Sequence, residues 1–221
     1  MSARILENDP KLKIKEIFYS IQGEASFSGW PTVFVRLTGC PLRCVYCDTA
    51  YAFQGGDWMD FDQIVSKVDA YACPRITITG GEPLAQKNSL ALMTVMCDRG
   101  WQVSLETSGA IDISEVDPRV CKVLDIKTPG SGEAERHLDS NHAYLTSQDQ
   151  IKFVICDHDD YTWCKQKILR QKLDQLCTVW LSPSAGQMSA RSLAEWILAD
   201  QLPVRLQIQL HKVLWGDEPG R

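Results

Sequence analysis

The sequence predicts an α/β fold built on a parallel sheet, and three observations carry that expectation. Seven short β-branched runs recur along the chain, helical patterns fall between most of them, and the strand runs are apolar enough to be buried on both faces. Such alternation fits a partial (incomplete) TIM-type βα barrel or an open doubly wound sheet, and the partial barrel is the preferred expectation.

The elements follow in order. KIKEIFYSIQGEASFSGWP (13–31), rich in aromatics and glycine, reads as a strand and a binding loop, and TVFVRL (32–37) as the next strand. DFDQIVSKVDAYA (60–72) sets Ile64, Val65, Val68 and Ala72 on one helical face behind an N-cap at Asp60. The strands RITIT (75–79) and QVSLET (102–107) flank a helical pattern, 89–100, that closes on Gly100, where a left-handed cap fits. CKVLDI (121–126) and IKFVI (151–155) flank the longest polar loop, TPGSGEAERHLDSNH (128–142), and loops of that length are often functional. A helix over 161–177, a strand TVWLS (178–182), a helix over 189–200 and a last strand VRLQIQL (204–210) complete the series.

With 221 residues, 44% of them hydrophobic and 23% charged, the chain can bury one core, and a single domain over 1–221 is expected: an N-terminal strand and loop at 13–31 and a barrel core at 32–221. The net charge of −5 offers no positive field for a phosphate backbone, so nucleic acid is not an expected partner. No stretch reads as a membrane span or signal peptide, which places the chain in the cytoplasm as an expectation. Nine cysteines in that compartment would be mostly reduced thiols. Six of them, at 73, 97, 121, 156, 164 and 177, lie among apolar residues and read as small buried side chains.

The other three are different. GCPLRCVYCDTAYAF (39–53) sets Cys40, Cys44 and Cys47 in one loop. A structural zinc site takes four ligands, commonly as two separated pairs, and neither a histidine nor a fourth cysteine stands near. An iron–sulfur cube has four corners, so three thiolates from one loop can hold three and leave the fourth iron open to a ligand. Gly80 and Gly81 in TGGEP (79–83) remove side chains where a strand terminus must approach a ligand.

Cys40-Pro-Leu-Arg-Cys44-Val-Tyr46-Cys47, with an aromatic before the last cysteine and TGGEP following, resembles the signature of radical S-adenosylmethionine enzymes. The longer stretch SIQGEASFSGWPTVFVRLTGCPLRCVYCDT, with ITGGEP, LETSG and QLHK in order, is similar to the 7-carboxy-7-deazaguanine synthase family over residues 14–212. That resemblance implies conversion of 6-carboxy-5,6,7,8-tetrahydropterin to 7-carboxy-7-deazaguanine with loss of ammonia, on the route to queuosine and other 7-deazapurines. It implies a 4Fe-4S cluster, S-adenosyl-L-methionine, Mg2+, a flavodoxin- or ferredoxin-type reductant and a homodimer. The alternatives are a glycyl-radical-enzyme activase, which would need a groove for a polypeptide, and a non-enzymatic zinc module.

Carried over residue by residue, the resemblance assigns the cluster to Cys40, Cys44 and Cys47 and magnesium to Thr49. It gives Tyr46 and Asp48 the adenine side of the cofactor, and Gly80, Gly81 and Glu82 its methionine end. Asp125, Ile126 and Lys127 fall where the family's fourth-strand segment meets the cofactor, although relatives often carry Ser-Pro-Lys there. For the substrate it assigns the loop Ile21, Gln22, Gly23 and Glu24, with Arg36 as a guanidinium fork for the carboxylate, Thr79 as a hydroxyl contact, and His211 with Gln209 at the end of the last strand. Glu106 would shape the cofactor region. His137, His142 and His158 are read as loop residues, and Trp215 as an exposed apolar residue suited to an interface.

Overall fold

A computed structural model describes residues 10–216, 218 and 220; the first nine residues and part of the WGDEPGR tail, both within the expected 1–221 domain, lie outside the described residues. The chain runs β1 (Lys11–Ile21), β2 (Pro31–Leu37), β3 (Asp57–Asp60), α1 (Phe61–Asp69), β4 (Arg75–Gly80), α2 (Asn88–Asp98), β5 (Gln102–Thr107), β6 (Cys121–Asp125), β7 (Gln150–Ile155), α3 (His158–Gln171), α4 (Leu173–Leu176), β8 (Thr178–Pro183), α5 (Ala190–Ala199), β9 (Arg205–Leu206) and α6 (Leu210–Trp215).

Strand order decides between the two expected architectures. The nine strands form one sheet in the order β3-β1-β2-β4-β5-β6-β7-β8-β9, parallel from β2 to β9, with β1 and β3 added antiparallel at one edge. After the excursion to β3 at the far edge, each successive parallel strand from β2 through β4 to β9 takes the next position in the same direction. A doubly wound sheet reverses at a switch point, whereas this progression is that of a βα barrel left unclosed.

Local chemistry explains most boundaries. Asp60 and Gln63 form a reciprocal capping box at α1, and Ile64, Val65 and Val68 are buried as the helical face requires. Gly100 follows α2 with φ +87, the left-handed geometry expected of it. The 161–177 helix begins earlier, because Asp157 accepts from Asp160 N, and it breaks where Lys172 turns left-handed (φ +53). His158 is therefore the first residue of α3, not a loop residue. The expected strand 204–210 is a two-residue edge strand, and Gln209 and His211 belong to the start of α6. Trp215 is half-buried; its neighbours Val213 and Leu214 are the exposed ones.

The strands are buried on both faces, but the two faces differ in kind. Val33, Val35, Leu37, Ile76, Ile78, Val103, Leu105, Leu124, Ile151, Phe153 and Ile155 belong to one apolar core with the helices. Their alternates, including Arg36, Thr77, Ser104, Glu106, Asp125, Gln150 and Lys152, occupy the opposite face. The inner face of the sheet carries the strands' charged and amide side chains among a few apolar ones, and that is where the cavity lies.

Candidate functional site

The cavity is about 670 Å³ and collects residues from β2, β4, β5, β6 and β7 and from the segments that follow β8 and β9. Cys40, Cys44 and Cys47 line it, all three free and half-buried. Burial pushes the Cys44 thiol up to about 11 and raises Cys40 as well.

The loop that carries them is held by its own backbone. Arg43, solvent-exposed as a charge, donates from Nη1 to the carbonyls of Cys40 (2.8 Å) and Leu42 (2.6 Å) and stacks 4.3 Å over Phe53. Val45 N donates to Ser131 O at 3.1 Å and Arg43 N to Glu133 at 2.5 Å, so the long polar loop buttresses the cysteines. Glu82 N donates to Gly39 O at 2.8 Å, joining the TGGEP turn to the cysteine loop. A Cβ on Gly81 would collide with Gly39 O and Cys40 Cβ, and one on Gly80 (φ +155) with the Leu37 backbone. These glycines let two motifs pack as one unit.

That packing sets three of the expected residues apart from the cavity. Glu82 is fully buried and accepts from Thr107 Oγ1 (2.9 Å), Ser108 N (2.8 Å), Ser108 Oγ (2.6 Å) and Leu84 N (3.1 Å). Its side chain fastens the ends of β4 and β5 together and does not line the cavity. Ile126 is fully buried in the apolar core, because the alternation that brings Asp125 and Lys127 to the cavity turns the residue between them away. Gly81 likewise lies behind the cavity wall, against the cysteine loop.

The remaining predicted residues converge. Tyr46 lines the cavity with its ring 5.7 Å from Lys127 Nζ, and its hydroxyl has no hydrogen-bond partner among the described residues. Thr49 Oγ1 donates to Asp48 Oδ1 at 2.7 Å. Asp48 is held below the usual carboxylate range: burial pushes it up, but the Thr49 hydrogen bond and Lys212, 3.5 Å away, outweigh that. Ile21 to Glu24, Thr79 and His211 all line the same space. Gln22 spends its side chain on the loop itself, donating to Thr77 Oγ1 (3.1 Å) and accepting from Gly23 N (2.9 Å). Gly23 must be glycine because the His211 ring occupies the space a Cβ would take. Arg36 is both an ion pair and a cavity wall: Nε donates to Glu16 at 2.7 Å, Tyr51 OH donates to the same oxygen at 2.7 Å, and Phe18 and Tyr51 lie 5.5 and 5.8 Å from its guanidinium. Its terminal nitrogens have no recorded partner among the described residues.

Sequence reasoning missed the charge at the centre. Lys152 Nζ pairs with Glu24 Oε2, with Asp125 Oδ2 at 3.2 Å and with Glu106 Oε2 at 3.8 Å; Lys127 pairs with Asp125 at 2.9 Å, and Gln209 donates to Glu24 Oε1 at 2.7 Å. Burial would push both lysines down, but the carboxylates outweigh it and keep them charged; the same lysines hold Asp125 low against its own burial. Glu106, farthest from a cation, is pushed by burial up to about 7. The signal was a lysine inside IKFVI, a charge in a strand otherwise buried throughout.

This donor set fits the cofactors the family implies. Three thiols on one loop, none in a disulfide, suit an iron–sulfur cluster, and the neighbouring mixture of an unpartnered phenol, paired lysines and carboxylates suits a zwitterionic ligand.

Comparisons agree with this geometry. Residues 34–125 match the family model of the Radical SAM superfamily. The chain is 43% identical over 216 residues to the 7-carboxy-7-deazaguanine synthase of Chlorobaculum tepidum, covering 96% of this chain and 98% of the relative. It is 39% identical over 222 residues to that of Koribacter versatilis, covering 94% and 98%. Its fold is similar to the crystal structure of QueE from Escherichia coli, with a TM-score of 0.74, 22% identity, and coverage of 91% and 95%.

Proposed function

We infer the chemistry from one premise: the chain belongs to the 7-carboxy-7-deazaguanine synthase family of radical SAM enzymes. It is a lyase that converts 6-carboxy-5,6,7,8-tetrahydropterin to 7-carboxy-7-deazaguanine with loss of ammonia, using a 4Fe-4S cluster and S-adenosyl-L-methionine, in queuosine and 7-deazapurine biosynthesis. The observation that carries this is full-length similarity combined with a cavity that gathers the three cysteines and the charged strand ends. An activase acting on a polypeptide is not favoured.

The residue roles are our reading. Cys40, Cys44 and Cys47 hold the cluster, which when bound supplies the electron that cleaves the sulfonium and releases a carbon radical. Tyr46 and Asp48 frame the adenosine end. The Gly80 backbone and the Asp125–Lys127 pair take the methionine ammonium and carboxylate, supported by the cavity positions of Gly80, Asp125 and Lys127. The Ile21–Glu24 backbone and the Glu24 carboxylate receive the pterin edge, with Thr79 and His211 beside them. The free edge of the Arg36 guanidinium takes the substrate carboxylate, while Glu16, Phe18 and Tyr51 keep it aimed. Thr49 supplies one oxygen to Mg2+, the substrate and water supplying the others. In the same reading, nine free cysteines suit a reducing cytoplasm, a flavodoxin or ferredoxin delivers electrons, and exposed Val213 and Leu214 contribute to a homodimer contact.

The test is an oxygen-free assay with 6-carboxytetrahydropterin, S-adenosylmethionine and a reductant, read by mass spectrometry. Formation of the deazaguanine acid with ammonia is expected. Reconstituted protein with a full cluster that turns over no pterin sinks the reading.

A further inference from the structure

Behind the cavity wall at Ser108 lies a cluster the proposed chemistry does not use. His137-Leu-Asp139-Ser-Asn-His142 folds back on itself so that the two histidine Nε2 atoms meet 3.0 Å apart, with rings 5.1 Å between centroids. Asp139 Oδ1 lies 3.7 Å from His137 Nε2, and one ligand atom from each of the three residues falls within 4.8 Å of the other two.

The surroundings fix this arrangement. The His137 side chain is 2% exposed, and its other nitrogen, Nδ1, is turned to the backbone so closely that a Cβ on Gly109 would lie 2.6 Å from it. Leu138 N and Asn141 Nδ2 donate to Gly109 O at 2.9 and 3.0 Å, pinning the turn to the exit of β5. Asp139 is oriented from α3, by Lys167 Nζ on Oδ1 and Gln171 Nε2 on Oδ2, both at 2.7 Å. Outer partners of this kind orient the carboxylates that ligate metals.

Two neutral imidazoles facing each other through Nε2 can share only one proton, whereas a divalent ion between them engages both lone pairs. A tetrahedral ion with bonds of about 2.1 Å sets its ligand atoms roughly 3.4 Å apart. The observed 3.0 and 3.7 Å bracket that spacing. Burial, joined by the neighbouring His142 and Lys167, pushes His137 down to about 4, and burial also lowers His142. Lys167 is the cation closest to the site and its charge opposes a second one, yet its ammonium is already engaged with Asp139.

We propose that His137, Asp139 and His142 form a binding site for one divalent transition-metal ion of the zinc class, completed by water, that cross-links the 137–142 turn.

The test is calorimetric titration of zinc chloride into the oxygen-free, cluster-loaded protein, in which the cluster cysteines are already occupied. Iron and sulfide are measured before and after. One zinc per chain beyond the cluster is expected, bound at least ten-fold more weakly by His142→Ala, a half-exposed position chosen to spare the fold, and by Asp139→Asn, with iron content and turnover unchanged. No saturable zinc binding, or wild-type affinity in either variant, overturns the site, as does zinc uptake that proceeds only with loss of iron.

Discussion

Replacing Lys152 with Met removes the cation that touches three carboxylates at once. At an effective dielectric of about 20, attractions at 3.2 Å to Asp125 and 3.8 Å to Glu106 are worth about 5 and about 4 kcal/mol before desolvation is subtracted. The net loss is smaller but still large, because Glu24, Asp125 and Glu106 stay buried with only Lys127 nearby; breaking such a pair typically costs about 3–5 kcal/mol. For a chain of 221 residues this corresponds to a fall in Tm of roughly 6–20 °C. Scanning fluorimetry reads it directly, with Lys152→Arg as the companion that keeps charge and loses less. Orphaned carboxylates have raised pKa values, and groups raised in the folded state lose stability as pH climbs, so the deficit should be smaller at pH 5 than at pH 8. A Tm within about 2 °C of wild type, or a deficit that grows toward acid, would refute the electrostatic account.

Gly81→Ala should push the cysteine loop off the TGGEP turn, and reconstituted protein should carry markedly less iron; full iron occupancy would contradict the packing. Arg36→Ala should raise KM for the pterin acid roughly 10- to 100-fold, the size of a lost charge-assisted hydrogen bond, with iron content and S-adenosylmethionine binding intact; an unchanged KM counts against the fork. Glu106 sits at about 7 against an ordinary 4.5, so the folded chain holds a proton across that window that the unfolded chain does not, and stability falls as pH rises through it. Glu106→Gln should flatten that fall in a Tm–pH series, and an equally steep profile would remove the buried-carboxyl explanation. Thr49→Ala should raise the magnesium concentration needed for half-maximal turnover several-fold, and indifference to magnesium in both proteins would end the proposed role.

Local signals carried much of the fold. The Asp60 cap, Gly100 and the β-branched runs specify elements through contacts within a few residues, and the structure forms them where those contacts are made. Failures came where the deciding neighbour was distant. VRLQIQL has the composition of a strand, but only Arg205 and Leu206 pair with β8; Leu210 N instead donates to Gly23 O at 3.0 Å, turning His211 onto the substrate loop as part of α6. β3 was invisible because Asp57–Asp60 is only four residues long, begins and ends on aspartate, and becomes a strand only by pairing with β1. Within the site, cysteine spacing was legible because one loop supplies every proposed ligand. The inward turn of Asp125 and Lys127 and the outward turn of Ile126 follow from strand register, and the fate of the Glu82 carboxylate depended on donors 25 residues away.

By itself, the order of residues determined which chemistry this chain is equipped for: thiol spacing and glycine placement are properties of single short loops, set before any distant neighbour is met. Tertiary structure alone decided how charge is shared. Lys152 meets Glu24, Asp125 and Glu106 only after four strand ends are brought into one cavity, and Coulomb attraction at 3–4 Å depends on that proximity and on no local pattern.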